Sequence, residues 1–94
     1  MNENMLIEIT DTFTIYGTGD TKKEVIENGF KKLQSDVFKR IDHPIIHMIP
    51  KAVYLKEEHT EEKEEAFLYF FMKRKKKTYE ITMDIEVVIK YIDI

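Results

Sequence analysis

His43 and His47 stand four residues apart just after Asp42, a spacing that on a helix would turn two imidazoles toward one divalent cation. Pro44 lies between them and breaks the helix this chemistry needs, leaving two rings on an extended connector with no reason to converge. His59 belongs to a separate acidic segment. In that segment Glu57, Glu58, Glu61, Glu62, Glu64 and Glu65 could supply a carboxylate pair for proton transfer or a site for a hard cation. Catalysis needs surroundings that drive two carboxyl pKa values apart, and a run of Glu in water does not provide them. The run therefore reads as a solvated acidic loop or a frayed strand extension. Lys73-Arg74-Lys75-Lys76-Lys77 could meet phosphates or an anionic membrane, each charge being worth about 1 kcal/mol at such a surface. The same residues would serve as a hairpin loop and guard the apolar strand beside them against foreign pairing. With 18 acidic and 15 basic residues the net charge is −3, which argues against a nucleic-acid binder. Gly17-Thr18-Gly19 ahead of a helix has the outline of a phosphate-cradling turn but lacks the third glycine of a dinucleotide fingerprint and the Gly-Lys-Ser/Thr of a P-loop. Ser35 is the only serine and falls mid-helix with no base beside it, and there is no cysteine, so serine-based catalysis has no candidate and no thiolate nucleophile, disulfide or zinc-thiolate site is available. No catalytic, cofactor-binding or metal-binding residue is assigned, no cofactor is expected, and the chain does not read as an enzyme.

The elements that would have to carry any chemistry are clearer than the chemistry. From Tyr79 to Tyr91, Tyr79, Ile81, Met83, Ile85, Val87, Ile89 and Tyr91 alternate with Glu80, Thr82, Asp84, Glu86, Val88 and Lys90, the period of a strand with one apolar face. Ile7, Ile9, Phe13 and Ile15 alternate in the same way against Glu8, Thr10, Thr12 and Thr14, predicting a first strand from Met5 to Gly17. A turn at Gly17–Thr21 follows, and Thr21 with Glu24 makes a capping box for an amphipathic helix carrying Val25, Ile26, Phe30, Leu33, Val37 and Ile41 on its apolar face. Gly29 costs such a helix about 1 kcal/mol relative to Ala, which close approach to the strand layer would offset. Asp42-His43-Pro44 ends the helix. Lys51–Glu57 reads as a short strand, and Ala66–Met72 as a strand apolar toward both sides.

The expected fold is therefore α+β in one domain, residues 1–94: a single helix packed on a four-stranded, mainly antiparallel sheet in the order β-α-β-β-β, with the last strand central. One helix covers one side of such a sheet, while Phe67–Met72, Tyr16, Val88 and Ile92 add apolar bulk to the other. A second covering layer is implied, and another copy of the chain or a different subunit would supply it. Phe67, Tyr69, Phe71 and Val88 are the expected interface of a homo-oligomer. The longest apolar run, Ala66 to Met72, is seven residues where a membrane span needs about 20, and the N-terminus has no signal-peptide pattern. A soluble, cytoplasmic protein is expected.

Three segments carry a family resemblance: Thr14–Lys22 running into the helix, Ile49-Pro50-Lys51-Ala52-Val53, and Phe67–Phe71 with the basic run and the alternating strand after it. Together they resemble a family of small bacterial proteins of unknown function encoded beside glycine-rich membrane proteins, in neighbourhoods that carry sugar-acid catabolic enzymes. The resemblance implies a non-enzymatic accessory or assembly subunit, the soluble component of a membrane transport or catabolic system, with a membrane protein complex as partner. It defines no catalytic residue. More distantly, the strand, glycine-rich turn and helix are similar to those of dodecins, small flavin-binding proteins that assemble into shells. That likeness implies a dodecin-like fold and, as the alternative function, a small-ligand-binding oligomer, although the chain has no tryptophan to stack on a flavin.

Overall fold

The computed structural model describes residues 3–67 and 72–94, with side chains described for 3–61 and 77–94. Four elements follow one another: β1 (Leu6–Gly19), α1 (Lys22–Arg40), β2 (Ile45–Phe67) and β3 (Met72–Ile92). The strands form one antiparallel sheet in the order β1-β3-β2, so the last strand is central and the connection through α1 carries the chain from one edge to the other. The expected four-stranded, dodecin-like sheet is thus corrected to three strands, still α+β. The strand expected at Lys51–Glu57 is part of the longer β2, which also takes in Ala66 and Phe67; Met72 opens β3, and the rest of the strand expected at Ala66–Met72 lies outside the described residues. Glu57–Glu65 continues as strand between Leu55 and Ala66, and Lys73–Lys77, expected as a loop, belongs to β3. The register gives the reason: Glu62 faces Lys77, Glu64 faces Lys75 and Glu65 faces Arg74 across the two strands. Lys63 faces Lys76 in the same stretch, so three of these four facing positions carry opposite charges, and two runs that look like loops in isolation are strands in combination.

α1 begins where its cap says it should. The Thr21 hydroxyl accepts the Glu24 backbone N–H at 3.1 Å, and Glu24 supplies the acid of the first turn while Lys39 and Arg40 sit in the last. Val25, Gly29, Leu33 and Val37, each four residues on, form the buried stripe. They close over Phe13 and Ile15 of β1 and over Ile81, Met83, Ile85, Val87 and Ile89 of β3, which together make the core. Gly29 is the close approach that the sequence suggests: a Cβ there would lie 2.7 Å from the Met83 methyl. Gly17, expected in the turn, is instead a buried strand residue, and a Cβ on it would lie 2.6 Å from the Val25 carbonyl oxygen and 3.4 Å from Gly29 Cα. Two glycines thus let helix and strand meet backbone to backbone.

The far side of the sheet differs from expectation. Thr10, Thr12 and Thr14 of β1 and Thr82, Asp84 and Glu86 of β3 occupy its centre. They are tied together by a 2.7 Å hydrogen bond from the Thr14 hydroxyl to Asp84 and by the ion pairs Lys56–Asp84 (3.6 Å), Lys51–Glu86 (3.8 Å) and Lys90–Glu8 (3.5 Å). A hydrophilic centre of this kind needs no covering layer, although Ile49 and Tyr54 of β2 are exposed on the same face. Val88 and Ile92 are half-buried at one end of that face, and Tyr16 is exposed. The argument for a second layer behind the sheet is therefore corrected.

β1 pairs with β3 only as far as Gly19–Tyr79. Beyond it, Glu61–Phe67 and Met72–Thr78 run on as a two-stranded ribbon. The ribbon accounts for the elongated outline of 77 × 24 × 16 Å.

Candidate functional site

The polar groups singled out in the sequence end up dispersed. His43 stacks on Tyr91 with ring centroids 5.1 Å apart, and its Nδ1 lies 3.1 Å from the Ile94 carbonyl oxygen. It joins the end of α1 to the end of β3, beside the backbone bond from Ile92 N–H to the Pro44 carbonyl. His47 lies on the opposite side of the sheet, facing Lys90. His59 faces Glu80 near the far end of the body. Among the described residues no group of three His, Asp or Glu is arranged to hold a metal ion, and no polar or charged side chain is buried.

Three surface concavities remain to be weighed. One, of about 350 Å³, is lined by Tyr16, Glu57, Glu58, His59, Glu80 and Thr82. Desolvation raises the Tyr16 phenol above its ordinary value, and a hydrogen bond to Glu80 and that carboxylate's charge push in the same direction. A phenol held protonated beside a carboxylate can donate a hydrogen bond, but it is no base at neutral pH. The second, about 590 Å³, lies between β1 and the end of α1. There Arg40 pairs with Asp11 and stands over the Phe13 ring, its carbon 4.5 Å from the centroid, so its charge is spent on lidding the core.

The third concavity is apolar. Ile26 and Phe30 of α1 lean toward Met48 of β2 across a groove of about 520 Å³ rimmed by Glu27, Lys31 and Gln34. It opens onto β2 because α1 packs chiefly on β1 and only reaches β3, so the third strand is left without a roof. Val53 and Leu55 share the helix side with Ile85 and Met83, their ladder partners, yet they are 47% and 59% exposed where those partners are buried. Tyr54, on the other face of the same stretch, is 58% exposed, and Ile46 and Ile49 are exposed nearby. Large apolar side chains are thus concentrated on one strand, which is also an edge. Long apolar edges invite pairing by another chain. Pro50 and the register shifts at Ile45/His47, Pro50/Ala52 and Leu55/Glu57 interrupt this one without making it polar.

This flank escapes sequence reasoning because nothing in the pattern of β2 says that the helix stops short of it. Of the expected interface residues, Val88 lies on β3 between Thr10 and Ile49, half-buried on the face away from the helix. Phe67 ends β2, while Tyr69 and Phe71 lie outside the described residues.

Among the comparisons with known proteins, a family model for a domain of unknown function, DUF4312, matches residues 9–92. No curated protein matches the chain, and no solved structure does. Among the described residues no helix is long and apolar enough to cross a membrane.

Proposed function

Since the chain belongs to the DUF4312 family, we propose that it is a non-enzymatic accessory or assembly subunit that works by being bound, through the open flank of β2. The observation that carries this reading is the exposure, on an edge strand, of Val53 and Leu55, whose ladder partners Ile85 and Met83 are buried in the core, and of Tyr54 between them. Apolar side chains on an edge, beside a helix that does not reach them, are the surface on which another chain gains most from docking. Among the described residues, a core without buried polar groups, and dispersed histidines and carboxylates, favour a binding role over catalysis. The contacts expected of Phe67, Tyr69, Phe71 and Val88 are kept as part of this proposal.

The finer reading, a soluble cytoplasmic component of a membrane transport or sugar-acid catabolic system, rests on the resemblance of Thr14–Lys22, Ile49–Val53 and Phe67–Phe71 to a family encoded beside membrane proteins. Light scattering of the purified chain and co-isolation from native membranes test the two levels. A homo-oligomer, or stoichiometric recovery of a membrane subunit lost in a Val53→Glu/Leu55→Glu variant, supports the proposal. A chain that is monomeric and recovered alone refutes it.

A further inference from the structure

We infer that β2 pairs antiparallel with β2 of a second copy, about a two-fold axis through Tyr54, to give a continuous six-stranded sheet. This rests on the assembly reading above and names its partner and register. A two-fold axis perpendicular to the sheet keeps each side chain on its own face, so only registers that oppose helix-side residues to helix-side residues are compatible. Val53 and Leu55 lie on the helix side and Tyr54 on the other, as their partners Ile85, Met83 and Asp84 show. Centring on Tyr54 sets Val53 opposite the second copy's Leu55 twice over, and Tyr54 opposite itself, so that three exposed apolar positions cover one another.

Charge selects the same register. Lys51 falls opposite Glu57, His47 opposite Glu61 and Lys56 opposite Ala52, and no two like charges meet between His47 and Glu61. Moving the axis to Lys56, Glu57 or Glu58 would oppose like charges at its centre. Moving it to Val53 sets His47 against His59 and Lys51 against Leu55, and moving it to Leu55 sets Lys51 against His59 and Val53 against Glu57. Lys51 and Glu57 are both on the face away from the helix: Lys51 already reaches Glu86 there at 3.8 Å, and Glu57 faces Thr82. In the pair, Glu57 of the second copy would join the Lys51–Glu86 contact. Pro50, which has no N–H to offer a ladder, falls opposite Glu58 rather than on the axis. The helices of the two copies then stand on the same side of the sheet, flanking a trough floored by Val53 and Leu55.

The absence of cysteine from the chain makes the register directly readable. Facing residues of an antiparallel pair have Cα atoms about 4.5–5.5 Å apart, within disulfide range. Tyr54→Cys is therefore expected to oxidise to a covalent dimer, and so is the double variant Lys51→Cys/Glu57→Cys. Glu57→Cys alone is not, because its two copies would be six residues apart, about 20 Å. Circular dichroism of the reduced variants checks that they fold. Dimer formation by the first two and not by the third supports the pairing. If the wild-type chain is an oligomer but Tyr54→Cys and the double variant stay uncrosslinked, or if Glu57→Cys crosslinks as readily, the pairing is overturned while the assembly reading stands. A wild-type monomer overturns the homo-oligomer and the pairing together.

Discussion

Gly17→Ala tests whether helix and strand really meet backbone to backbone. The added methyl would sit 2.6 Å from the Val25 carbonyl oxygen, against the 3.4 Å at which ordinary contact begins, so α1 must back away from β1 by most of an ångström. The atom it meets is backbone, held by the helix, and cannot rotate aside. Overpacking of a fitted core costs about 1–3 kcal/mol, and the stiffer unfolded chain returns about 0.4–1 kcal/mol. The net loss is about 1–2 kcal/mol, a fall in Tm of about 5–15 °C for a domain of this size. Gly29→Ala is the control, because it faces the same contact from the other side. Its methyl would meet the terminal Met83 methyl at 2.7 Å and Ile15 Cγ2 at 3.7 Å. A methionine end can swing away, and a helix gains about 1 kcal/mol when Gly becomes Ala. Gly29→Ala should therefore stay within about 1 kcal/mol of the wild type. Urea titrations followed by circular dichroism, at one fixed protein concentration, rank the two variants. Gly17→Ala as stable as the wild type, or Gly29→Ala the more damaging change, would refute the close-approach reasoning.

Further outcomes follow from other contacts. Thr21→Ala removes the acceptor of the Glu24 N–H and should cost about 1 kcal/mol in the same titration. Leu33→Ala empties a fully buried site and should cost about 2–5 kcal/mol. Glu64→Lys/Glu65→Lys puts like charges opposite Lys75 and Arg74. It should speed amide exchange across Glu61–Thr78 while leaving α1 protected, and unchanged exchange there would count against charge pairing as what holds the ribbon. Tyr16 should be among the last tyrosines to ionise in an ultraviolet titration, and Glu80→Gln should lower its midpoint. Because its folded pKa is raised, the stability it contributes is complete below the ordinary tyrosine value near 10 and is lost as pH climbs through the raised one.

Periodicity made much of this protein legible. The alternation of Tyr79–Tyr91 defines a strand whose odd-numbered residues from 81 to 89 are all buried, and Thr21 with Glu24 marks the start of a helix within a residue. Where charge runs replaced periodicity, the reading left Glu57–Glu65 open between loop and strand extension and took Lys73–Lys77, part of β3, for a loop. Glu57–Glu65 and Lys73–Lys77 each look solvated and irregular alone, and only their facing register makes them strand. The continuation of Lys51–Glu57 through Ala66 and Phe67 as one strand follows from that pairing.

By itself, then, the sequence determined the periodic elements, the first strand, the helix and the last strand from Tyr79 to Tyr91, and the face each presents to the core, because these depend on residue type at periods of 2 and 3.6. Tertiary structure alone decided which strand the helix leaves uncovered. It sent α1 over β1 and β3, made β2 an edge with Val53 and Leu55 open to solvent, and filled the opposite face with threonine and ion pairs. The physical reason is that burial depends on how far a single helix, about 10 Å wide, extends across three strands spaced about 4.8 Å apart. No residue pattern within one strand carries that information.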